Sequence, residues 1–226
     1  MAPPLHDPDV WLFDLDNTLY PARCNLFAQI DVRIGRYIAD RLKVDLEEAR
    51  RVQKQYWREH GTSMRGLMTL HGVDPKHMLD YVHDIDYSPV SAAPALEASL
   101  AALPGRKIIF TAGDVPHAER VMERLGVAHH FEAIFDIAAG DYWPKPHQAI
   151  YDKLVLKHGV DPKRAAMADD IAVNLKPAGA MGMRTVWIRT EESVKRAGVD
   201  LDHIHHQTDD LASWLADWVA QRSTRK

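Results

Sequence analysis

Two aspartates directly follow an apolar run near the start of the chain. Residues 10–13 read Val-Trp-Leu-Phe, and Asp14 and Asp16 come next with one leucine between them. Side chains two positions apart in an extended chain point to the same side, so we expect both carboxylates to share one site. One can attack an electrophile and form an acyl-phosphate, while the other transfers protons to the leaving group and from water. A turn or helix cap at Asp16 is the simpler alternative.

A threonine and a lysine occupy corresponding places later in the chain. Thr111 follows the apolar run 108–110 and precedes a turn and a helix, where a hydroxyl and free backbone N–H groups can bind an anion. Lys145 lies between Pro144 and Pro146, which restrict the backbone and help to aim its ammonium group at phosphoryl oxygens. Taken alone, such a threonine satisfies a local backbone group and such a lysine is solvated. Their order along the chain favours the functional interpretation.

Two more carboxylates end another apolar run. Asp169 and Asp170 follow residues 165–168, and Asn174 lies four positions beyond Asp170. Hard oxygen ligands of this kind suit Mg²⁺, which takes one or two carboxylates together with water and phosphate oxygens. The alternative is a helix N-cap with acids placed favourably for the helix dipole, and it explains one aspartate better than two.

The elements that must position these residues alternate from residue 106 onward. We predict strands at 107–110, 133–137, 165–168 and 184–188 and helices at 115–125, 147–158 and 172–181. This alternation is typical of β-α-β units with a parallel sheet, whose ligands bind at the carboxyl ends of the strands. The pattern therefore predicts a doubly wound, Rossmann-like α/β core, closed by an edge strand near 204–207 and a helix near 209–219.

Residues 21–87 follow a different pattern, with successive amphipathic helices and no β-branched run. We predict a helical cap over this range, inserted after the first strand of a core that comprises residues 1–20 and 88–226. A cap that closes on substrate excludes water and strengthens local electrostatics.

The cap is also where we expect substrate specificity to lie. The break at Gly61 exposes polar groups beside an apolar helix, and Arg65 is the residue predicted to face the substrate. Further candidates are His60, Thr62, Met64 and Tyr20. An arginine on a solvated helix face is the alternative interpretation.

Composition excludes several classes of partner. The 226 residues are 46% apolar and 27% charged, and the formal net charge of −4 argues against a nucleic-acid polymer or an anionic membrane as partner. The single cysteine, Cys24, excludes an internal disulfide and fits a reducing compartment. Residues 1–8 contain three prolines and no apolar signal core, so we predict a cytoplasmic location.

Four segments in this order resemble the motifs of the haloacid dehalogenase superfamily of phosphohydrolases. They are Phe13 to Thr18, Phe110-Thr111, Lys145-Pro146, and Asp169-Asp170 with Asn174. The resemblance implies that Asp14 is the nucleophile and Asp16 the general acid/base, and that Thr111, Ala112 and Lys145 bind the phosphate. Relatives often carry asparagine where this chain has Ala112, so a side-chain contact is missing there.

The same resemblance implies an Mg²⁺ site. The ion would be held by Asp14, Asp170 and the backbone carbonyl of Asp16. Asp169 would be a further acidic residue of the metal site, and Asn174 would support these ligands. Since Asp16 supplies an acid that carbon-halide displacement does not need, phosphate chemistry is favoured over dehalogenation.

A second, narrower resemblance concerns the substrate. Leu19-Tyr20-Pro21 and residues 61–68 are similar to the pyrimidine 5′-nucleotidase group, which implies a phosphatase for UMP or CMP that acts through an aspartyl-phosphate. A sugar-phosphate or phosphoglycolate phosphatase on the same core, a phosphotransferase, and a non-enzymatic binding module stay open as alternatives. Sequence patterns do not fix the oligomeric state.

Overall fold

A parallel sheet forms the centre of the protein, for which a computed structural model describes residues 7–196 and 200–223. In these ranges the strands are β1 (Val10–Phe13), β2 (Arg106–Phe110), β3 (Ala133–Phe135), β4 (Ala165–Asp169), β5 (Arg184–Ile188) and β6 (His206–Thr208). All five pairings are parallel, and the strand order is β3-β2-β1-β4-β5-β6. The predicted doubly wound α/β fold is confirmed.

Helices connect the strands and cover both faces of the sheet. In the described part of the chain they are α1 (Leu26–Leu42), α2 (Leu46–His60), α3 (Ser63–His71), α4 (Pro75–Val82), α5 (Pro94–Ala102), α6 (Val115–Leu125), α7 (Gln148–His158), α8 (Leu175–Ala180), α9 (Glu191–Arg196) and α10 (Leu211–Ser223). The four helices α1 to α4 lie between β1 and α5, where the sequence predicts an insertion.

The central strand β1 contributes side chains to both hydrophobic layers, because its side chains alternate between the two faces of the sheet. Trp11 and Phe13 pack with buried residues of α5, α6 and α10 on one face. Val10 and Leu12 pack with buried residues of α7 and α8 on the other. A strand that is apolar at every position is thus buried on both sides, and the chain becomes polar at Asp14, directly after its carboxyl end.

The inserted helices α1 to α4 have a hydrophobic cluster of their own. Its fully buried members include Ile38, Ala49 and Leu67, which come from three different helices. Two residues from outside the insertion, Ile137 and Tyr142, also pack into this cluster. The helical unit therefore rests on the loop that follows β3.

Several predicted elements have different bounds in the structure, including β6 (His206–Thr208, predicted near 204–207) and α10 (Leu211–Ser223, predicted near 209–219). The strand predicted over 133–137 ends at Phe135, because the Asp136 carboxylate accepts a hydrogen bond from the Ala139 backbone N–H at 2.8 Å and turns the chain. The helix predicted over 172–181 begins with a 3₁₀ turn at Ala172–Asn174. The core range proposed from the sequence also includes residues 1–6, 197–199 and 224–226, which lie outside the described residues.

Within residues 7–196 and 200–223, no helix combines the length with the apolar character that crossing a lipid bilayer requires.

The packing of α10 on the sheet leads to a stability prediction. Leu215 is fully buried against the layer that contains Trp11, so Leu215→Ala should lower the free energy of unfolding by about 2–5 kcal/mol through lost burial and a cavity. Leu156→Ala, at a position 84% exposed, should change it by less than about 0.5 kcal/mol. Urea unfolding of both variants measures the difference, and equal stabilities would contradict the described docking of α10.

Candidate active site

The polar residues at the strand ends meet at the carboxyl edge of the sheet. Asp14 directly follows β1, Thr111 directly follows β2, and Asp169 is the last residue of β4. Because β2, β1 and β4 are neighbours in the sheet, these three positions lie side by side. The Asp14 backbone N–H donates to the Ala168 carbonyl at 2.9 Å, which continues the β1–β4 pairing beyond the strand.

The Lys145 ammonium group lies at the centre of this edge. Its Nζ donates to Oδ1 of Asp14 at 2.7 Å, to Oδ2 of Asp169 at 2.6 Å and to the Phe110 carbonyl at 3.0 Å. All three donors of the ammonium are used. The side chain is 4% exposed. Lys145 arrives from the loop between β3 and α7, so one cation joins the ends of three strands.

Asp169 is fully buried, and both oxygens of its carboxylate are occupied. Besides the bond from Lys145, Oδ1 accepts from the Ile171 backbone N–H at 2.8 Å and from Nδ2 of Asn174 at 3.0 Å. Asn174 Nδ2 also lies 3.2 Å from Oδ2. This network fixes the position of Asp169 and, through it, that of the lysine.

Asp170 is different, because no hydrogen bond or ion pair within the described ranges reaches its side chain, although it is buried. One carboxylate oxygen from each of Asp14, Asp169 and Asp170 lies within 4.8 Å of the other two. Three buried carboxylates thus face one ammonium group. Hard oxygen donors with an excess of negative charge are the ligand set that fits a divalent cation such as Mg²⁺.

The pKa shifts within the cluster also favour a bound cation. Burial, together with the charges of Asp169 and Asp16, outweighs Lys145 and raises the pKa of Asp14 to about 7. Burial and the neighbouring carboxylates raise the pKa of Asp170 to about 9. Burial opposes the charge of Lys145, but Asp14 and Asp169 outweigh it and raise the lysine pKa above its usual value. The two aspartates resist ionisation until further positive charge is supplied.

Asp16 lies in a different environment from Asp14. Its Oδ1 accepts from the Tyr20 hydroxyl at 2.5 Å and lies 2.9 Å from Nε2 of His117. Burial disfavours its charge, but the nearby imidazoles of His117 and His83 and the tyrosine hydrogen bond prevail and lower the pKa of Asp16 to about 2. Asp14 and Asp16 are only two residues apart in the sequence, but the pKa of Asp14 is raised and that of Asp16 is lowered.

The segment after β2 forms a turn with backbone groups at the edge. Oγ1 of Thr111 accepts from the Gly113 backbone N–H at 2.9 Å, and the Thr111 side chain is buried. Ala112 is exposed at this edge. Asp114 then caps α6 by accepting from the His117 backbone N–H at 3.0 Å. Thr111 and Ala112 are thus at the same edge as Asp14, next to the start of a helix.

The predicted cap arginine contacts the core. The Arg65 guanidinium carbon lies 3.1 Å from the ring centroid of Trp143, two residues before Lys145. The same indole stacks on His147 with centroids 4.1 Å apart. Gly61, at the break between α2 and α3, lies against Pro144, since a Cβ there would come within 2.9 Å of its Cγ. The helical unit therefore contacts the loop that carries the lysine.

The other residues proposed for specificity have assigned contacts. Thr62 caps α3 by accepting from the Arg65 backbone N–H at 3.1 Å. Met64 is buried in the cluster of the helical unit. His60 packs edge-on against Tyr56 with centroids 5.8 Å apart. Tyr20 is buried in the core cluster, and its hydroxyl is committed to Asp16 rather than directed from the cap.

Two residues at this site were not singled out from the sequence. The first is His117, which contacts Asp16. The sequence feature that could have identified it is its position on the otherwise apolar face of α6, four residues before Val121. The second is Trp143, which contacts Arg65. The sequence feature that could have identified it is a large aromatic residue immediately before Pro144. Neither signal names a partner, because the contact in each case is with a distant part of the chain.

The chain is similar to a known protein family, to a curated sequence and to solved structures. Residues 8–182, a range that includes every site residue from Asp14 to Asn174, match the haloacid dehalogenase-like hydrolase family. Phosphate metabolism protein 8 of Saccharomyces cerevisiae is 29% identical over 203 residues, which cover 80% of this chain and 63% of the yeast protein. The chain thus spans less than two thirds of the length of that relative.

Solved structures share the fold at low identity. A HAD phosphatase from Thermococcus onnurineus has a TM-score of 0.62 at 17% identity and covers 92% of this chain and 97% of its own. L-2-haloacid dehalogenase from Xanthobacter autotrophicus has a TM-score of 0.56 at 16% identity, with coverage of 92% and 97%. Similarity at this level concerns the fold and leaves the reaction to be argued from the site. With the family match over residues 8–182, it leads to one conclusion: the chain belongs to the haloacid dehalogenase-like hydrolases.

Proposed function

We propose that this protein is a phosphomonoester hydrolase in which Asp14 is the nucleophile. The observation that carries the proposal is the single ammonium group of Lys145, held 2.7 Å from Asp14 and 2.6 Å from Asp169 at the open edge of the sheet. A fixed cation beside a nucleophilic carboxylate shields that carboxylate from an incoming phosphate anion. The word phosphatase in the name of the Thermococcus onnurineus structure supports the same reading.

The proposed reaction has two steps with Asp16 as the proton carrier. An oxygen of Asp14 forms a bond to phosphorus, the bond from phosphorus to the leaving-group oxygen breaks, and Asp16 gives that oxygen a proton. Water then attacks phosphorus, Asp16 takes the proton of the water, and the bond between phosphorus and Asp14 breaks. Asp16 is ionised in the free site, and an anionic phosphoryl group beside it raises its pKa, which favours uptake of the proton it must deliver.

The remaining site residues hold the phosphate and the cation. In the proposal, Thr111 and the backbone at Ala112 bind phosphoryl oxygens together with Lys145. Asp14 and Asp170 would hold Mg²⁺ with the backbone carbonyl of Asp16. When bound, Mg²⁺ supplies positive charge that neutralises and orients the phosphoryl oxygens.

Asp169 and Asn174 have a supporting part in this arrangement. The Asp169 oxygens already accept hydrogen bonds from Lys145, Ile171 and Asn174, so this carboxylate orients the lysine and contributes negative charge around the ion. Such supporting contacts fix the orientation of the groups that bind the metal.

Asp16 also separates phosphate chemistry from dehalogenation. Displacement of a halide from carbon needs no proton donor, whereas an alkoxide leaving group does. The carboxylate of Asp16 is oriented by two side chains and is 22% exposed at the edge. An oriented carboxylate that can transfer protons favours phosphatase activity over dehalogenase activity, although a dehalogenase shares the fold.

For the substrate we propose a pyrimidine nucleoside 5′-monophosphate such as UMP or CMP. Residues 21–87 form the proposed cap over a core of residues 1–20 and 88–226, and Arg65 is its proposed specificity residue. Its stacking on Trp143 places a cation and an aromatic plane two residues from Lys145, a combination suited to a planar base. We further propose a cytoplasmic location, on the grounds of composition and the single cysteine.

The substrate proposal is tested by a panel of phosphomonoesters with Mg²⁺ present. We expect phosphate release with the highest kcat/KM for UMP or CMP. A preference for sugar phosphates or phosphoglycolate would replace the nucleotide assignment and keep the phosphatase. Transfer of labelled phosphate to an acceptor other than water would indicate a phosphotransferase, and no release from any ester would favour a binding module.

The role of Asp14 is tested by Asp14→Asn. An amide is a poor nucleophile, so we expect phosphate release to fall by at least about a thousandfold. The fold should be retained, since Lys145 keeps its ion pair with Asp169 when the charge of Asp14 is removed. Asp40→Asn, at an exposed position on α1, should keep full activity. Hydrolysis by Asp14→Asn at the wild-type rate would exclude covalent catalysis by Asp14.

The cation site predicts a pH-dependent stabilisation. The pKa values of Asp14 and Asp170 are raised from 3.8 to about 7 and about 9, so the folded state holds protons that the unfolded state releases. Stability from these groups is therefore present below the unfolded value of 3.8 and is lost progressively as the pH rises from there to about 7 and about 9 in the metal-free protein. Because binding displaces these protons, Mg²⁺ should raise the melting temperature more at about pH 8.5 than at about pH 6.

Thermal unfolding with Mg²⁺ and with EDTA at both pH values measures this effect. Asp170→Asn should abolish most of the Mg²⁺-dependent increase, whereas Asp40→Asn should leave it unchanged. An increase of the same size at both pH values, or an undiminished increase in Asp170→Asn, would contradict the proposed cation site.

A further inference from the structure

A buried histidine of α6 contacts the Asp16 carboxylate. Nε2 of His117 lies 2.9 Å from Oδ1 of Asp16, and the two residues are 101 positions apart in the chain. An ionised carboxylate accepts hydrogen bonds only, so Nε2 carries the proton of this contact. The Tyr20 hydroxyl donates to the same oxygen at 2.5 Å. No hydrogen bond within the described ranges reaches Oδ2 of Asp16.

The histidine itself is rigidly held. Its side chain is fully buried, and its ring stacks on that of His83 with centroids 4.4 Å apart and planes 16° from parallel. Nδ1 of His117 lies 3.0 Å from the Tyr87 hydroxyl, which in turn donates to the His83 carbonyl at 2.9 Å. Gly113 makes room for the ring, since a Cβ there would come within 2.9 Å of Cδ2 of His117.

We propose that His117, together with Tyr20, is a positioning residue that saturates Oδ1 of Asp16 and leaves Oδ2 free to exchange the proton with the leaving group and water. The inference rests on the proposed phosphatase function and deepens it. Tyr20 approaches from the same turn as Asp16, four residues along the chain, and His117 approaches from α6. Two donors from separate elements prevent rotation of the carboxylate, and proton transfer depends on such alignment.

A positioning role makes a specific kinetic prediction. His117→Leu should lower kcat/KM, which reports transfer of the phosphoryl group to Asp14, by about 10- to 100-fold for an alkyl phosphate, since its leaving group needs a proton. For 4-nitrophenyl phosphate kcat/KM should fall by less than about threefold. His117→Gln, which restores an N–H donor, should recover part of the loss. Tyr20→Phe should show the same leaving-group dependence as His117→Leu.

Matched controls separate positioning from general damage. His158→Leu removes a half-buried imidazole at the end of α7, and Tyr37→Phe removes a hydroxyl that contacts His77 in the helical unit. Both controls should leave the two rates unchanged. Circular dichroism and melting temperature establish that each variant is folded. If His117→Leu fails to fold, His117→Gln and Tyr20→Phe carry the test.

The decisive measurement is the effect of His117→Leu in an Asp16→Ala background. If His117 acts through Asp16, the second substitution should cause no further loss of kcat/KM with the alkyl phosphate, the ester on which His117→Leu alone acts. Equal losses of kcat/KM for both esters in the single variant, or an additional loss in the double variant, would overturn the positioning role while leaving the phosphatase intact. A wild-type protein that releases phosphate from neither ester would overturn the proposed function and this inference with it.

Discussion

The ammonium group of Lys145 between Asp14 and Asp169 is the interaction on which the site depends. Two buried carboxylates on adjacent strands repel each other unless a cation lies between them, and removing one member of a buried ion pair leaves an uncompensated charge. The arrangement also explains why the strand order matters. Only neighbouring strands bring Asp14 and Asp169 close enough for a single Nζ to reach both and the Phe110 carbonyl at once.

The same edge of the sheet gives two aspartates opposite properties. Asp14 lies among carboxylates, so its charge is opposed even though Lys145 contacts it. Asp16 lies against His117 and Tyr20, which stabilise its charge. Groups whose environments move their pKa values apart are suited to different chemical tasks. The division between attack and proton transfer therefore follows from which side chains surround each carboxylate, and those side chains come from different parts of the chain.

The sheet and the residues at its edge were predictable because the signals are local. Apolar runs followed by polar residues mark strand ends, and the position of Asp14 or Asp169 follows once the strands are parallel. The contacts of His117 and Arg65 were not predictable, since each partner is remote in sequence and a lone histidine or arginine carries no sign of it. Tyr20 shows the limit most clearly. Its nearness to the site was foreseen, but its hydroxyl serves Asp16, because the chain turns back after β1.

The loop after β3 belongs to the core by connectivity and to the helical unit by packing. Ile137 is almost completely buried and Tyr142 is partly buried, both against helices of the insertion, while Lys145 a few residues later reaches Asp14. Moving the helices away from the loop would expose these side chains to water, at a free-energy cost of about 25 cal/mol for each Å² of apolar surface. Separation of the helical unit from this loop therefore carries a free-energy cost, because it exposes apolar side chains of the same loop that carries Lys145.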